Sequence, residues 1–124
     1  MQLRGIRGAT TAAANGAAEI LEATRELLVK LQEANRFTVE DIASAIFTMT
    51  PDLDAAFPAQ AARDLGWSNV PLLCAAEIPV PGGLPYCIRV LVHVHTHLGQ
   101  EDIRHLYLRG ASILRPDLVR GGQG

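Results

Sequence analysis

Cys87-Ile88-Arg89-Val90-Leu91-Val92-His93-Val94-His95-Thr96 alternates with a period of two. Successive side chains of a strand point to opposite sides, so Ile88, Val90, Val92 and Val94 share one face while Cys87, Arg89, Leu91, His93 and His95 share the other. The aliphatic face is core. The opposite face carries a charge and two imidazoles, which suits a site or a subunit contact rather than a second core.

Working outward, residues 79–85 read as a rigid loop with Gly82-Gly83 at its turn, and residues 70–75 as a wholly apolar strand covered on both faces. Pro58 suits the first turn of a short helix running to Leu65, with Gly66 as its C-terminal cap. Residues 44–50 carry strand-forming side chains after a capping-box pattern at Thr38-Val39-Glu40-Asp41. Between about Gly16 and Asn35, Ile20, Leu21, Leu27, Leu28 and Leu31 recur at helical spacing, with Asn15 as the expected N-cap and Glu22, Glu26 and Lys30 stepping at i,i+4. Residues 2–7 read as a first strand broken by Gly8-Ala9-Thr10-Thr11. Downstream, residues 101–104 make a helical turn and residues 105–109 a last strand, with Leu106 and Leu108 inward and His105, Tyr107 and Arg109 outward. The order β-α-β-α-β-β-α-β predicts an α/β (α+β) domain, a mixed five-stranded sheet with two principal helices on one face. The bare second face predicts an oligomer.

The chain of 124 residues and 13.3 kDa is one domain in length. Residues 1–118 form it and residues 119–124 read as a flexible tail. Apolar residues at 48% against charged residues at 19% exclude long disorder. A net charge of −2 gives no general attraction to nucleic acid or to anionic membranes. No apolar run approaches the ~18 residues of a membrane span, and residues 1–8 lack a secretory core, so the expected location is cytoplasmic. Cys74 and Cys87 are not in CxxC spacing and are expected to stay reduced.

Ten of the eleven basic residues are arginine. That equips the chain with planar, permanently charged carboxylate binders rather than with Schiff-base lysines. Arg7, Arg63 and Arg89 stand in or beside elements that normally avoid charge, and such placements call for an anionic partner. For Arg89 that partner is a ligand, an interface or an internal salt bridge. Arg7 precedes a turn whose amides and hydroxyls can also meet a carboxylate, while Arg63, beside Asp64 on a short helix, also reads as a solvated surface residue. Glu77 ends a mostly apolar stretch and needs an arginine or hydroxyl partner. Cys74 reads as a buried, inert thiol more readily than as a nucleophile. His93, His95 and His97 could hold a divalent ion, but no carboxylate or cysteine supplies a clear further ligand, so no metal site is expected. Absence of GxSxG, P-loop, GxGxxG and HExxH patterns removes support for hydrolase, kinase and dehydrogenase chemistry.

Several segments together carry a resemblance: Arg4-Gly5-Ile6-Arg7-Gly8-Ala9-Thr10-Thr11, Thr50-Pro51-Asp52-Leu53-Asp54-Ala55-Ala56-Phe57-Pro58-Ala59, Cys87-Ile88-Arg89-Val90, Arg104-His105-Leu106-Tyr107-Leu108 and Leu114-Arg115-Pro116-Asp117-Leu118. In order and at compatible spacing they resemble the monofunctional AroH-class chorismate mutases from about residue 3 to residue 118. The resemblance implies a homotrimeric pseudo-barrel with active sites between subunits, chorismate as substrate, prephenate as product of a concerted [3,3] rearrangement, and no cofactor. It implies catalytic roles for Arg89, Glu77 and Arg7: Arg89 donating to the ether oxygen and a carboxylate, Arg7 binding a carboxylate, Glu77 accepting from the ring hydroxyl and holding Arg89. Tyr107 would bond a carboxylate through its phenol, and Leu73 and Cys74 would lie in the substrate-binding region, with Cys74 a neighbour of Glu77. Phe57 and Arg63 resemble a wall and gate contributed across the subunit boundary, and Leu114 and Arg115 a closing C-terminal segment.

Two features depart from the pattern. Gln60 stands where the family has a basic residue, and the three histidines are not part of it. Two rival functions suit the same residues: a trimer of the same architecture that hydrolyses imines or enamines, and a non-enzymatic trimer that binds a ligand or a metal through the histidine row.

Overall fold

The computed structural model describes residues 1–114. Its strands are β1 (Gln2–Thr11), β2 (Ile42–Met49), β3 (Leu72–Ala76), β4 (Cys87–Thr96) and β5 (Leu106–Tyr107), and its helices α1 (Ala17–Asn35) and α2 (Ala59–Asp64). They form one mixed sheet of order β3-β2-β4-β1-β5. β4 pairs antiparallel with both β1 and β2, while the edge strands β3 and β5 run parallel to their neighbours. The strand that dominates the sequence is therefore the centre of the sheet.

Pleating sorts the side chains as alternation predicts. Val90, Val92 and Val94 are buried with Ile6, Phe47 and the apolar stripe Leu27, Leu28 and Leu31 of α1 in the main core, and Ile88 is buried in a second cluster with Ile20 and Ala23 of the same helix. α1 lies over this face, α2 packs beside it, and Trp67 is fully buried in the main core. Gly66 closes α2 at φ +93, a conformation glycine adopts without a Cβ clash. The other face carries, in cross-strand register, Arg7 beside Leu91 and Ile46, and Ala9 beside Arg89 and Thr48. Among the described residues, no helix lies over most of it.

Four expectations change. β1 runs through Gly8 to Thr11, all paired with residues 87–90 of β4, so Arg7 sits in mid-strand; ladder pairing overrides the local turn preference of these residues. Asn15 does not cap α1. Gly16 is the N-cap, and the Asn15 amide instead ties the 54–55 loop, donating to Asp54 Oδ1 at 2.8 Å and accepting from the Asp54 N–H at 3.0 Å. β3 is covered on one face only: it is a sheet edge, and Leu73 is 62% exposed. The last strand shrinks to Leu106–Tyr107 because Arg109 takes a left-handed φ of 51° and starts a 3₁₀ turn, Arg109–Ile113. Arg115, and the tail expected at 119–124, lie outside the described residues.

Gly8 lets α1 approach the sheet beside Arg7. A Cβ there would sit 2.8 Å from Leu31 Cδ1 and 3.1 Å from Leu27 Cδ1, inside the packed core. Valine favours a strand but overfills this contact, so Gly8→Val should cost about 1–3 kcal/mol of stability. Urea denaturation measures it, and an unchanged midpoint would show that the helix has room to retreat.

Candidate active site

The open face carries an ion pair at its centre. Arg89 donates from Nε to both carboxylate oxygens of Glu77, at 3.0 and 3.2 Å, and Thr48 donates its hydroxyl to Glu77 Oε2 at 2.8 Å. Register explains the meeting: Thr48 and Arg89 are direct partners across β2 and β4, so they project from the same face side by side. Glu77 reaches them because its own N–H bonds the Met49 carbonyl, which fixes the chain just past β3. The Arg89 side chain is 46% exposed and that of Glu77 only 13%. The guanidinium thus stays accessible while its anchor is sheltered.

A cleft of about 450 Å³ opens beside this pair, lined by Arg7, Arg89, Thr48, Ile46, Tyr107 and Leu114 among others. The size suits a small-molecule site. A second cavity of about 390 Å³ shares Arg89 and adds Glu77, Asp52 and the 78–85 loop. The arginines and the phenol supply donors, whereas Ile46, Leu91 and Leu114 supply apolar wall. Such a lining is complementary to a compact anion with an apolar body.

The C-terminal segment builds one side of it. Leu108 N–H bonds the Ala9 carbonyl at 2.9 Å, Gly110 N–H bonds Thr11 Oγ1 at 3.1 Å, and Arg109 Nε pairs with Glu26 Oε1 of α1 at 3.1 Å. These contacts hold the 3₁₀ turn across the end of β1, so Tyr107 packs with Ala9 and Ala111 under Leu84 and Leu114. Tyr107 does face away from the helices, as expected, but it is buried, at 9% exposure. Next to it, His105 Nδ1 accepts the Arg7 N–H at 2.9 Å.

Other residues singled out from sequence lie elsewhere in this chain. Phe57 is 69% exposed, and the Arg63 guanidinium bonds Gln60 Oε1 on its own helix; neither lines the cleft. Leu73 is on the open face in register with Ile46, but at the edge. Cys74 pairs with Phe47 and packs half-buried against the main core, so its side chain points away from the face that carries Arg89. His93 meets Ser44 Oγ through Nδ1 at 3.1 Å. Among the described residues, no three His, Cys, Asp or Glu side chains come together as a metal-binding group, and no helix is long and apolar enough to cross a membrane. Thr48 and the loop residue Leu84 were not singled out; alternation of Ser44, Ile46 and Thr48 along one strand was the available signal for Thr48.

An α+β protein with one bare sheet face and an arginine-lined cleft on that face is the class these observations define. A family model for chorismate mutase type I matches residues 3–118, and the chain belongs to that family of enzymes. It is 54% identical over 117 residues to Chorismate mutase AroH of Thermus thermophilus, covering 94% of this chain and 96% of that one. Chorismate mutase AroH of Bacillus subtilis (strain 168) is 49% identical over 119 residues, covering 95% and 94%. The solved structure of a chorismate mutase from Clostridium thermocellum superposes with a TM-score of 0.88 at 52% identity, over 89% of this chain and 98% of that one.

Cys87 sits fully buried at the start of β4, two residues from Arg89. Burial pushes its thiol up from 9.0 to about 11, and the negative charge of Glu77 adds to the rise while Arg89 opposes it. A rise of this size leaves about a hundredfold less thiolate at pH 8. Cys87 should therefore resist alkylation in the native protein at pH 8 and react only on unfolding. Rapid native labelling of Cys87, read by mass spectrometry, would contradict this.

Proposed function

We propose that the protein converts chorismate to prephenate by a concerted [3,3] rearrangement, with the cleft of Arg7, Arg89 and Tyr107 as its active site. The observation that carries the reading is the Arg89 guanidinium, anchored at 3.0 Å by Glu77 on a cleft shared with Arg7 and Tyr107. Membership of the family supports the substrate. The chemistry supports the inventory: a pericyclic step needs no nucleophile and no proton shuttle, only a compact diaxial substrate conformer and positive charge where the breaking C–O bond becomes negative.

Arg7 and Tyr107 bind the substrate carboxylates and hold the enolpyruvyl side chain over the ring. Arg89 donates to a carboxylate and to the ether oxygen, and its charge is fixed before the bond breaks, so little reorganisation is needed as negative charge develops. Glu77 accepts from the ring hydroxyl and anchors Arg89 through Nε, which leaves most of the guanidinium's donors for the substrate. Leu114, which lines the cleft, packs against the bound molecule. Ile46, Leu91 and the exposed Leu73 make the bare face apolar around its charges, and a homotrimer covers such a face; Phe57, Arg63 and Leu73 then reach a neighbouring subunit's cleft, while the unreactive Cys74 thiol stays turned to the core of its own chain. With Gln60 bonded to Asp64 and to Arg63, the rim lacks one basic charge, and substrate affinity rather than the chemical step bears that loss.

Purified protein in chelator should consume chorismate, followed by its absorbance, and yield prephenate that acid converts to phenylpyruvate. Arg89→Lys keeps the charge but loses the planar fork, and turnover should fall on the order of a thousandfold. A folded protein without chorismate turnover would overturn the function, and near-normal turnover by the lysine variant would overturn the assignment of Arg89.

The rate should also stay nearly flat between about pH 6 and 8, because arginine, carboxylate and phenol side chains as classes do not titrate in that range. Initial rates across the range measure this, and a histidine-like limb would mean that one of the imidazoles takes part.

A further inference from the structure

We propose that Thr48 is a positioning residue for the reaction: its hydroxyl holds the Glu77 carboxylate in the orientation that aims the Arg89 guanidinium at the substrate. The inference rests on the active-site reading above and extends it to a residue with no role in that reading.

Three observations meet at this side chain. Thr48 Oγ1 donates to Glu77 Oε2 at 2.8 Å, the same oxygen that Arg89 Nε approaches at 3.0 Å. Thr48 is the direct cross-strand partner of Arg89, so hydroxyl and guanidinium rise from adjacent points of a rigid central ladder. Glu77, by contrast, lies beyond the last residue of edge strand β3 and has only its own N–H bonded to Met49 there. A carboxylate on a strand end can rotate about its side-chain bonds, and Nε alone could be met by several of its rotamers. A second donor on the sheet selects one of them and takes a lone pair of Oε2 that Arg89 leaves open.

Thr48 also lines the cleft, but the hydroxyl's single hydrogen is committed to Glu77. Its effect on the substrate therefore runs through the carboxylate. Charge-assisted bonds of this type are the stronger class of hydrogen bond, and a catalytic ion pair held less firmly loses preorganisation in the transition state more than affinity in the ground state.

The variants are Thr48→Val, which keeps shape and β-branching and removes only the hydroxyl, and Thr48→Ser, which keeps the hydroxyl. Thr48→Val should lower kcat about tenfold with KM nearly unchanged, and Thr48→Ser should stay within about twofold of the parent. In a Glu77→Gln background, Thr48→Val should add little further loss, because the two changes break one linkage. Parental kcat in Thr48→Val, a loss confined to KM, an equal loss in the serine variant, or full additivity with Glu77→Gln would each overturn the proposal. Poor folding of Thr48→Val would show as a lowered denaturation midpoint, and the serine rescue together with the double variant then decides. If Arg89→Lys and Glu77→Gln are themselves near normal, the active-site reading fails and not the role of Thr48 alone.

Discussion

The ion pair between Arg89 and Glu77 is the contact on which the rest of the site depends. As a stabilising element it is weak: with the arginine side chain 46% exposed, a pair of this kind is worth about 0–1 kcal/mol. The sheet nevertheless places a charge on its central strand, where a valine would cost nothing. What the pair gains is geometry. A guanidinium fixed by Nε presents its remaining donors to one region of space, and the barrier falls only through interactions that are stronger in the transition state than in the substrate.

Everything around the pair follows from the two-sided pleat of β4. Its even-numbered valines and isoleucine are committed to the core under α1, so the odd-numbered positions must face the other way. Gly8 brings the helix close on the core side, and the 3₁₀ turn locked to Thr11 and Glu26 brings Tyr107 and Leu114 over the open side. One constraint, that no helix among the described residues covers the second face, thus leaves room for a cleft and also exposes Leu3, at 54%, and Leu73, at 62%. Exposed apolar edges stand beside a charged centre on one face.

Much of this was legible in the sequence because the deciding signals are local. Alternation along residues 87–96 needs no knowledge of the fold to separate Val90 from Arg89, and the leucine stripe of α1 is equally self-contained. Pairing is not local. Gly8 to Thr11 read as a turn until β4 lies alongside them, and residues 70–75 read as doubly covered until β3 is placed at the edge of the sheet. The same limit governs the site. Arg7, Arg89, Glu77 and Tyr107 could be singled out as charges or hydroxyls in unusual company, but a threonine in a strand is ordinary until its register with Arg89 is known. Cys74 shows the reverse: the resemblance implies a place beside Glu77 in the site, and the strand's alternation turns its side chain to the other face.

A cleft preorganised around Arg89 matches the compact, charge-separated transition state better than it matches chorismate. Calorimetric titration with a rigid bicyclic dicarboxylate that carries an ether oxygen in the rearranging position measures this directly. It should bind at least a hundredfold more tightly than chorismate, and Arg89→Lys should erase most of that advantage. Affinity no better than that for chorismate, or an advantage untouched by Arg89→Lys, would contradict a site preorganised around this arginine.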